Sequence, residues 1–284
     1  MATGRRVKLE VADQNVRWPR SPDETLKLHM KTTLIGCTGF IGQNLARQFH
    51  FDAQYHRPNI AEIREREFDL LALSGVSAVK WQANKNPEQD RAQIDSLLSD
   101  LSTVTAKEAI VFSTVDVYPV SEDVDESFDC QSRLNHAYGT NRLYFEDSIR
   151  SMFPRVTIIR IAGVFGPGLK KNVIYDLIHD NCLEAINPDS VFQYYDVSKL
   201  WEDTEEVRKH GIEVINFVTQ PIRTGDIIDR LFPGKQVGAK AMPPARYNIK
   251  TKYNTLWGEQ SAYMRSAESV LDSLNSFVGL SRGG

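Results

Sequence analysis

Little in this sequence is present in excess, and each shortage removes a class of protein. Cysteine is scarce: Cys37, Cys130 and Cys182 are odd in number and far apart. They form neither a disulfide framework nor a CxxC metal pair, which points to a reducing compartment, the cytoplasm. No apolar run approaches the roughly 20 residues needed to cross a bilayer, so no membrane partner is expected. Charge of one sign is also missing. Lys and Arg number 34 against 37 Asp and Glu, for a net charge of −3, which leaves no electrostatic footprint for nucleic acid. The six histidines show no HExxH-type spacing, so no metal site is expected. There is no GxSxG elbow, no GxxxxGK[ST] loop, no internal repeat and no low-complexity tract.

What is present describes a folded globular chain. Of 284 residues, 41% are hydrophobic and 10% aromatic, enough to build a core and to exclude disorder as the main state. Residues 1–29 stand apart. They carry six Lys/Arg and four Asp/Glu, show no sustained period, and contain Pro19 and Pro22. With no apolar h-region they are not a secretory signal. Met30, followed at once by a strand-like run, reads as the start of the folded domain, with a leader or mobile extension before it. The alternative is an arm that packs on the domain.

From Met30 onward strand and helix patterns alternate. Strand-like runs are 32–35, 53–56, 68–73, 109–113, 156–161 and 213–217. Several are continuously apolar, as parallel strands buried on both faces are. Helical patterns fall at 41–49, 90–101, 137–152 and 174–181, and a last one at about 261–277 carries Val270, Leu271, Leu274 and Phe277 on one face. This alternation predicts right-handed βαβ units and an α/β fold with a doubly wound parallel sheet, the Rossmann architecture. Residues 30–165 form the dinucleotide-binding core in this reading. Residues 166–284 form a smaller substrate-binding portion interleaved with the last strands, with a basic, irregular tail at 236–254.

The first strand runs into Gly36-Cys37-Thr38-Gly39-Phe40-Ile41-Gly42. A GxxGxxG at a strand-to-helix junction is built for a dinucleotide. Gly36 allows the tight turn, Gly39 lets backbone approach a pyrophosphate, Gly42 permits close helix–strand packing, and the helix N-terminus attracts phosphate. The alternative is a tight turn without a ligand. At the end of strand two an NAD site offers Asp or Glu to the ribose 2′-hydroxyl. Here the stretch is Gln54-Tyr55-His56-Arg57-Pro58-Asn59. It holds no acid, and Arg57 can pair with a 2′-phosphate. NADP is therefore expected in preference to NAD, unless Arg57 is a solvated loop residue.

Two further segments carry chemistry: Val111-Phe112-Ser113-Thr114-Val115-Asp116-Val117-Tyr118-Pro119, and His136-Ala137-Tyr138-Gly139-Thr140-Asn141-Arg142. Tyr138 and Arg142, at i and i+4, share a helix face. With the glycine loop, these segments resemble the short-chain dehydrogenase/reductase superfamily, and most of all its extended branch of nucleotide-sugar epimerases and dehydratases. The resemblance continues through Arg160–Gly168, with weaker echoes at Phe192–Asp196 and Val214–Phe217.

This resemblance implies that Thr114 hydrogen-bonds the reacting oxygen and that Tyr138 is the acid/base. Arg142 stands where the family has the lysine that holds the nicotinamide ribose and lowers the tyrosine pKa. It implies a cofactor lined by Gly36, Thr38, Gly39, Phe40, Ile41, Gly42, Arg57, Ser74, Gly75, Tyr138, Arg142 and Ala162, with Asn172 and Tyr118 toward the substrate. Asp116 occupies a place where dehydratase members have an acid that helps eliminate water; the bland reading is a loop Asp bonded to nearby backbone. His136 is near the mouth of the site or a helix-start residue. The chemistry stands on general grounds too. A free tyrosine titrates near 10, so it needs a nearby cation to serve as a base at neutral pH. Arginine keeps that charge and can fork onto two ribose hydroxyls, but it cannot lose a proton.

Several features of the sugar-nucleotide members are missing. Ser190-Val191 stand where an arginine usually grips the diphosphate, and glycine replaces asparagine after the strand at 156–161. Lys170 and Lys171, or a cluster of Lys235, Lys240, Arg246, Lys250 and Lys252, can substitute or can simply be solvated. The expected function is an NAD(P)-dependent oxidoreductase or epimerase acting on a sugar or sugar-nucleotide hydroxyl or carbonyl. The alternative is a catalytically silent NAD(P)-binding sensor or complex partner. The expected partners are a small, sugar-like substrate and, by the resemblance, a second copy in a homodimer through the helix at 137–152.

Overall fold

A computed structural model of the chain describes residues 30–239 and 242–282. The expectation for residues 1–29 lies outside the described residues, as does Lys240. In chain order the elements begin with β1 (Thr32–Ile35), α1 (Phe40–Gln48), β2 (Ala53–Tyr55), β3 (Glu67–Leu73), α2 (Lys80–Lys85), α3 (Pro87–Leu101), β4 (Thr105–Thr114), α4 (Ala137–Met152) and β5 (Val156–Ile161). They continue with β6 (Gly163–Phe165), α5 (Val173–His179), β7 (Val191–Phe192), β8 (Tyr194–Asp196), α6 (Leu200–Lys209), β9 (Val214–Phe217), β10 (Ile222–Arg223), α7 (Thr224–Leu231) and α8 (Ala267–Arg282).

The six strand-like runs read from the sequence are the six strands of one sheet, in the order β2-β1-β3-β4-β5-β9. All five pairings are parallel. Burial explains why these runs were legible. Every residue of β1 and β5 is buried, as strands covered by helices on both faces must be. One face packs against α3 and α4 through Ile94, Leu98, Phe145 and Ile149. The other packs against α1 and α6 through Leu45, Leu200 and Val207. A third apolar cluster joins Phe165, Ile174, Leu177, Ile227, Leu231 and Leu274 into the C-terminal portion. Small strands complete it: β6 pairs with β8 and β7 with β10.

The differences from the sequence reading have local causes. Strand β4 begins four residues early because Thr105–Glu108 pair with β3 despite Lys107 and Glu108. Helix α8 starts at Ala267, not near residue 261, because the Ser266 hydroxyl accepts the Ser269 N–H at 3.3 Å and caps it there. Helix α5 ends at His179, since Asp180 takes a left-handed conformation with φ +53°. Helices α2, α6 and α7 went unread: α6 (LWEDTEEVRK) is mostly charged, and the other two are short. Among the described residues no helix is long and apolar enough to cross a membrane.

Strand order reverses between β1 and β3, the switch point where open α/β sheets bind ligands. Their carboxyl ends are tied together: the Ser74 N–H and hydroxyl both donate to Ile35 O at 2.9 Å. Gly36 and Ser74 thus stand side by side at the crevice.

Candidate active site

The glycine loop leaves no room for side chains. Gly36 has φ +87°, and a Cβ there would stand 2.5 Å from the Ser74 carbonyl. A Cβ on Gly42 would stand 2.1 Å from Gly36 O, and one on Gly39 at 3.3 Å from the same atom. Helix α1 has Gly39 as its N-cap with no side-chain cap. Its first intrahelical bond is Gln43 N–H to Gly39 O, 2.9 Å. The N–H groups of Phe40, Ile41 and Gly42 precede that bond and form the anion-seeking end of the helix. Thr38 stays in the turn, its carbonyl accepting from Gln43 Nε2 at 3.1 Å. Gly75 packs under Ile35. Arg57 is exposed beyond β2, and its guanidinium donates to Gln93 of α3 at 3.1 Å.

The second half of the site assembles where β4 ends and α4 begins. Thr114 is the last residue of β4. Its Oγ1 accepts the Asp116 N–H at 3.1 Å, which starts a single 3₁₀ turn over Val115–Val117. Helix α4 comes against that turn because residue 139 is glycine: a Cβ there would stand 2.2 Å from both Asp116 O and Asn135 Nδ2. His136 is the N-cap, its Nδ1 accepting the Gly139 N–H at 3.0 Å, which is its helix-start role. Burial and the nearby Lys80 lower its pKa. The Tyr138 N–H is taken by Asn84 of α2 at 2.9 Å.

Tyr138, in the first turn of α4, lies beside the end of β4 that carries Thr114. The Tyr138 phenol is buried, which raises its pKa. The Arg142 charge and the Thr114 hydroxyl act to lower it, and Asp116 to raise it. Arg142 places its guanidinium carbon 4.3 Å from the Tyr138 ring centre. Its fork, however, belongs to Asp90 of α3: Nη1 donates to one carboxylate oxygen at 2.7 Å and Nη2 to the other at 2.9 Å. Nη2 also donates to Ser77 O at 2.5 Å. Asn141 adds a 2.9 Å bond to the same carboxylate. Burial pushes the Asp90 pKa up, but the bonds from Arg142 and Asn141 outweigh it and leave the carboxyl below its ordinary value.

The Asp116 carboxylate is bonded to side chains. One carboxylate oxygen accepts from Lys80 Nζ at 2.7 Å and from the Tyr247 hydroxyl at 3.1 Å. The Tyr247 ring stacks on Phe192, 5.8 Å between centres. Lys80, Asp90 and Tyr247 carry no motif. They come from a polar helix start and from the irregular tail, and only the fold brings them to Tyr138.

The two expected substrate residues point elsewhere. Tyr118 is buried, with its hydroxyl donating to Asn216 at 3.0 Å, and burial pushes its pKa up to about 12. Asn172, at φ +111°, spends its amide on the backbone: Oδ1 accepts Tyr175 N–H and Nδ2 donates to Val164 O. Ala162 packs beside Tyr118. Lys171 reaches Ala78 O at 2.6 Å. In the basic cluster, Lys235 pairs with Asp180 and Lys250 with Asp123 at the surface. Among the described residues no group of three or more His, Cys, Asp or Glu is arranged to hold a metal ion.

No protein-family model matches the sequence, and no curated protein matches it. Solved structures do. TunA, an NAD-dependent NDP-hexosamine 5,6-dehydratase of tunicamycin biosynthesis, superposes with a TM-score of 0.66 over 90% of this chain and 98% of its own, at 17% identity. RMD from Pseudomonas aeruginosa, solved with NADPH, gives 0.67 over 89% of this chain and 100% of its own, at 17% identity. This chain has their fold. A UDP-glucose 4-epimerase from Thermotoga maritima, solved with UDP-glucose, shares it with a TM-score of 0.67, over 88% of this chain and 98% of that one, at 14% identity. The architecture expected from the motifs, a doubly wound parallel Rossmann sheet, is the one observed.

Proposed function

We propose that this chain is an extended short-chain dehydrogenase/reductase that uses a nicotinamide dinucleotide, NADP in preference to NAD, to act on a hydroxyl or carbonyl of a sugar or sugar nucleotide. One observation carries the reading: Thr114 at the end of β4 and Tyr138 at the start of α4 come together at the carboxyl edge of the sheet that also holds the glycine cradle. The loop suits a dinucleotide, since Gly36 and Gly42 let it close tightly on its own backbone and the N–H groups of Phe40, Ile41 and Gly42 precede the first intrahelical bond of α1. Gly36 to Gly42 would hold the pyrophosphate on the α1 N-terminus, with Ser74 and Gly75 beside it. Arg57 would meet a 2′-phosphate, because no carboxylate stands at the end of β2. When bound, the dinucleotide supplies or accepts the hydride.

The chain's own residues do the rest. Thr114 fixes the reacting oxygen, and Tyr138 gives it a proton in reduction or takes one in oxidation. Arg142 contributes charge against the Tyr138 ring, while its fork stays on Asp90 and locks α3 to α4. That lock favours the second reading, a dinucleotide-binding protein without turnover, because Arg142 cannot carry a proton.

The two readings separate in one experiment. NADPH and NADH are titrated by fluorescence. The loaded protein is then offered UDP-glucose, UDP-N-acetylglucosamine and a dTDP-4-keto sugar. NADPH binding with turnover of one of them supports the enzyme. Binding without turnover supports the silent protein, and failure of both dinucleotides to bind rejects both.

A further inference from the structure

Position 142 holds an arginine whose fork is spent on Asp90. A second cation, Lys80, stands at the Asp116 turn against which α4 packs. Helix α2 presents Lys80 and Asn84 one turn apart, on one face. Asn84 holds the Tyr138 backbone at 2.9 Å, so Lys80 lies beside the same residue. Its ammonium donates to Asp116 at 2.7 Å and to the Tyr247 hydroxyl at 3.2 Å. Asp116 is the middle residue of the turn against which α4 packs at Gly139, next to Tyr138. An uncancelled carboxylate there opposes the loss of a proton from the phenol by like-charge repulsion.

We propose that Lys80 is a positioning residue of the site: its ammonium cancels the Asp116 carboxylate in the turn beside Tyr138, so that Tyr138 can part with its proton. The proposal rests on the reading of Tyr138 as the acid/base. The groups that face the phenol are few. Arg142 lies on its own helix with Asp90 of α3 behind it, and Thr114 and Asp116 come from the end of β4. Lys80 comes from α2, and His136 from the cap, its ring centre 6.2 Å away. Tyr247 of the tail reaches the cluster through Asp116. Two ion pairs therefore bracket Tyr138. The Arg142–Asp90 pair is almost fully buried, whereas the Lys80 side chain is 37% exposed. Lys80 can thus exchange protons with solvent, which Arg142 cannot do.

The test uses the full chain labelled with 3-fluorotyrosine, whose phenol titrates in a lower and more accessible range. The ¹⁹F resonance of residue 138 is assigned as the one lost in Tyr138→Phe, and its midpoint is followed against pH. Lys80→Met is expected to raise the midpoint by about one pH unit. Asp116→Asn is expected to lower it, the double variant to return it close to the parent value, and Lys80→Arg to preserve it. Opposite signs from the two halves of one ion pair cannot come from a general loosening of the fold. An unmoved midpoint in Lys80→Met overturns the proposal. So do shifts of the same sign in both single variants, or a residue-138 signal that stays silent up to about pH 11 in every form. The readout needs neither substrate nor cofactor. Failure of NADPH to bind would sink the proposed function without touching these midpoints.

Discussion

At the scale of single residues, the site turns on how Arg142 is held. A guanidinium forked onto a buried carboxylate contributes modestly as a pair, but removing one partner strands a charge in the interior. Asp90→Ala is therefore expected to cost about 3–5 kcal/mol of unfolding free energy, read from urea denaturation. The pair also predicts a pH dependence. The folded Asp90 carboxyl sits below its ordinary value. Its contribution is thus complete above the unfolded value, near pH 4, and is lost as pH falls through the folded value. Asp90→Asn is expected to flatten the stability curve in that acid range; a curve as steep as the parent's there would assign the acid sensitivity elsewhere. None of this was legible in the sequence. Tyr138 and Thr114 could be found because they sit in ordered motifs at the ends of a strong strand and a strong helix. Asp90 lies 52 residues from Arg142, in a polar helix start with no motif.

Elements place these residues, and glycines decide how closely the elements approach. Gly139→Ala puts a methyl group 2.2 Å from Asp116 O, a backbone atom that cannot swing aside. Helix α4 must back away from the Asp116 turn, which carries Tyr138 from Thr114. The expected outcome is a loss of about 1–3 kcal/mol in stability, measured by denaturation, with turnover lost at saturating NADPH. A variant with parent turnover would show that the contact does not position the site. The parallel strands were readable because burial on both faces leaves a continuous apolar run. Helix α6 was not, because its charged outer face hides the stripe of Leu200, Trp201, Thr204 and Val207 that it buries. The tail was read as basic and irregular, and it is; that it delivers Tyr247 to Asp116 is a long-range fact that no local pattern encodes.

For the whole molecule, one carboxylate ties the segment before α8 to helix α6, which covers one face of the sheet. Asp203 of α6 accepts from the Tyr195 hydroxyl at 2.7 Å, from Trp257 Nε1 at 2.7 Å and from Arg265 at 3.0 Å. Those donors come from β8 and from two points of the segment before α8. Asp203→Ala leaves three buried or half-buried donors without their acceptor. It is expected to cost at least about 3 kcal/mol and to expose the tail to protease before the sheet unfolds. Cleavage no faster than in the parent chain would contradict that role. Residues 30–165 are legible from glycines and strand ends; the C-terminal portion is built from such cross-chain contacts, which is why its residues were not.

The central claim is that Tyr138, held by Thr114 and flanked by two ion pairs, moves a proton during hydride transfer with NADPH. Its most direct test is the rate of NADPH-dependent turnover in Tyr138→Phe, measured beside NADPH affinity in the same protein. Affinity within a few-fold of the parent and a rate lower by about 10²–10⁴ are expected. An unchanged rate in Tyr138→Phe would contradict the claim.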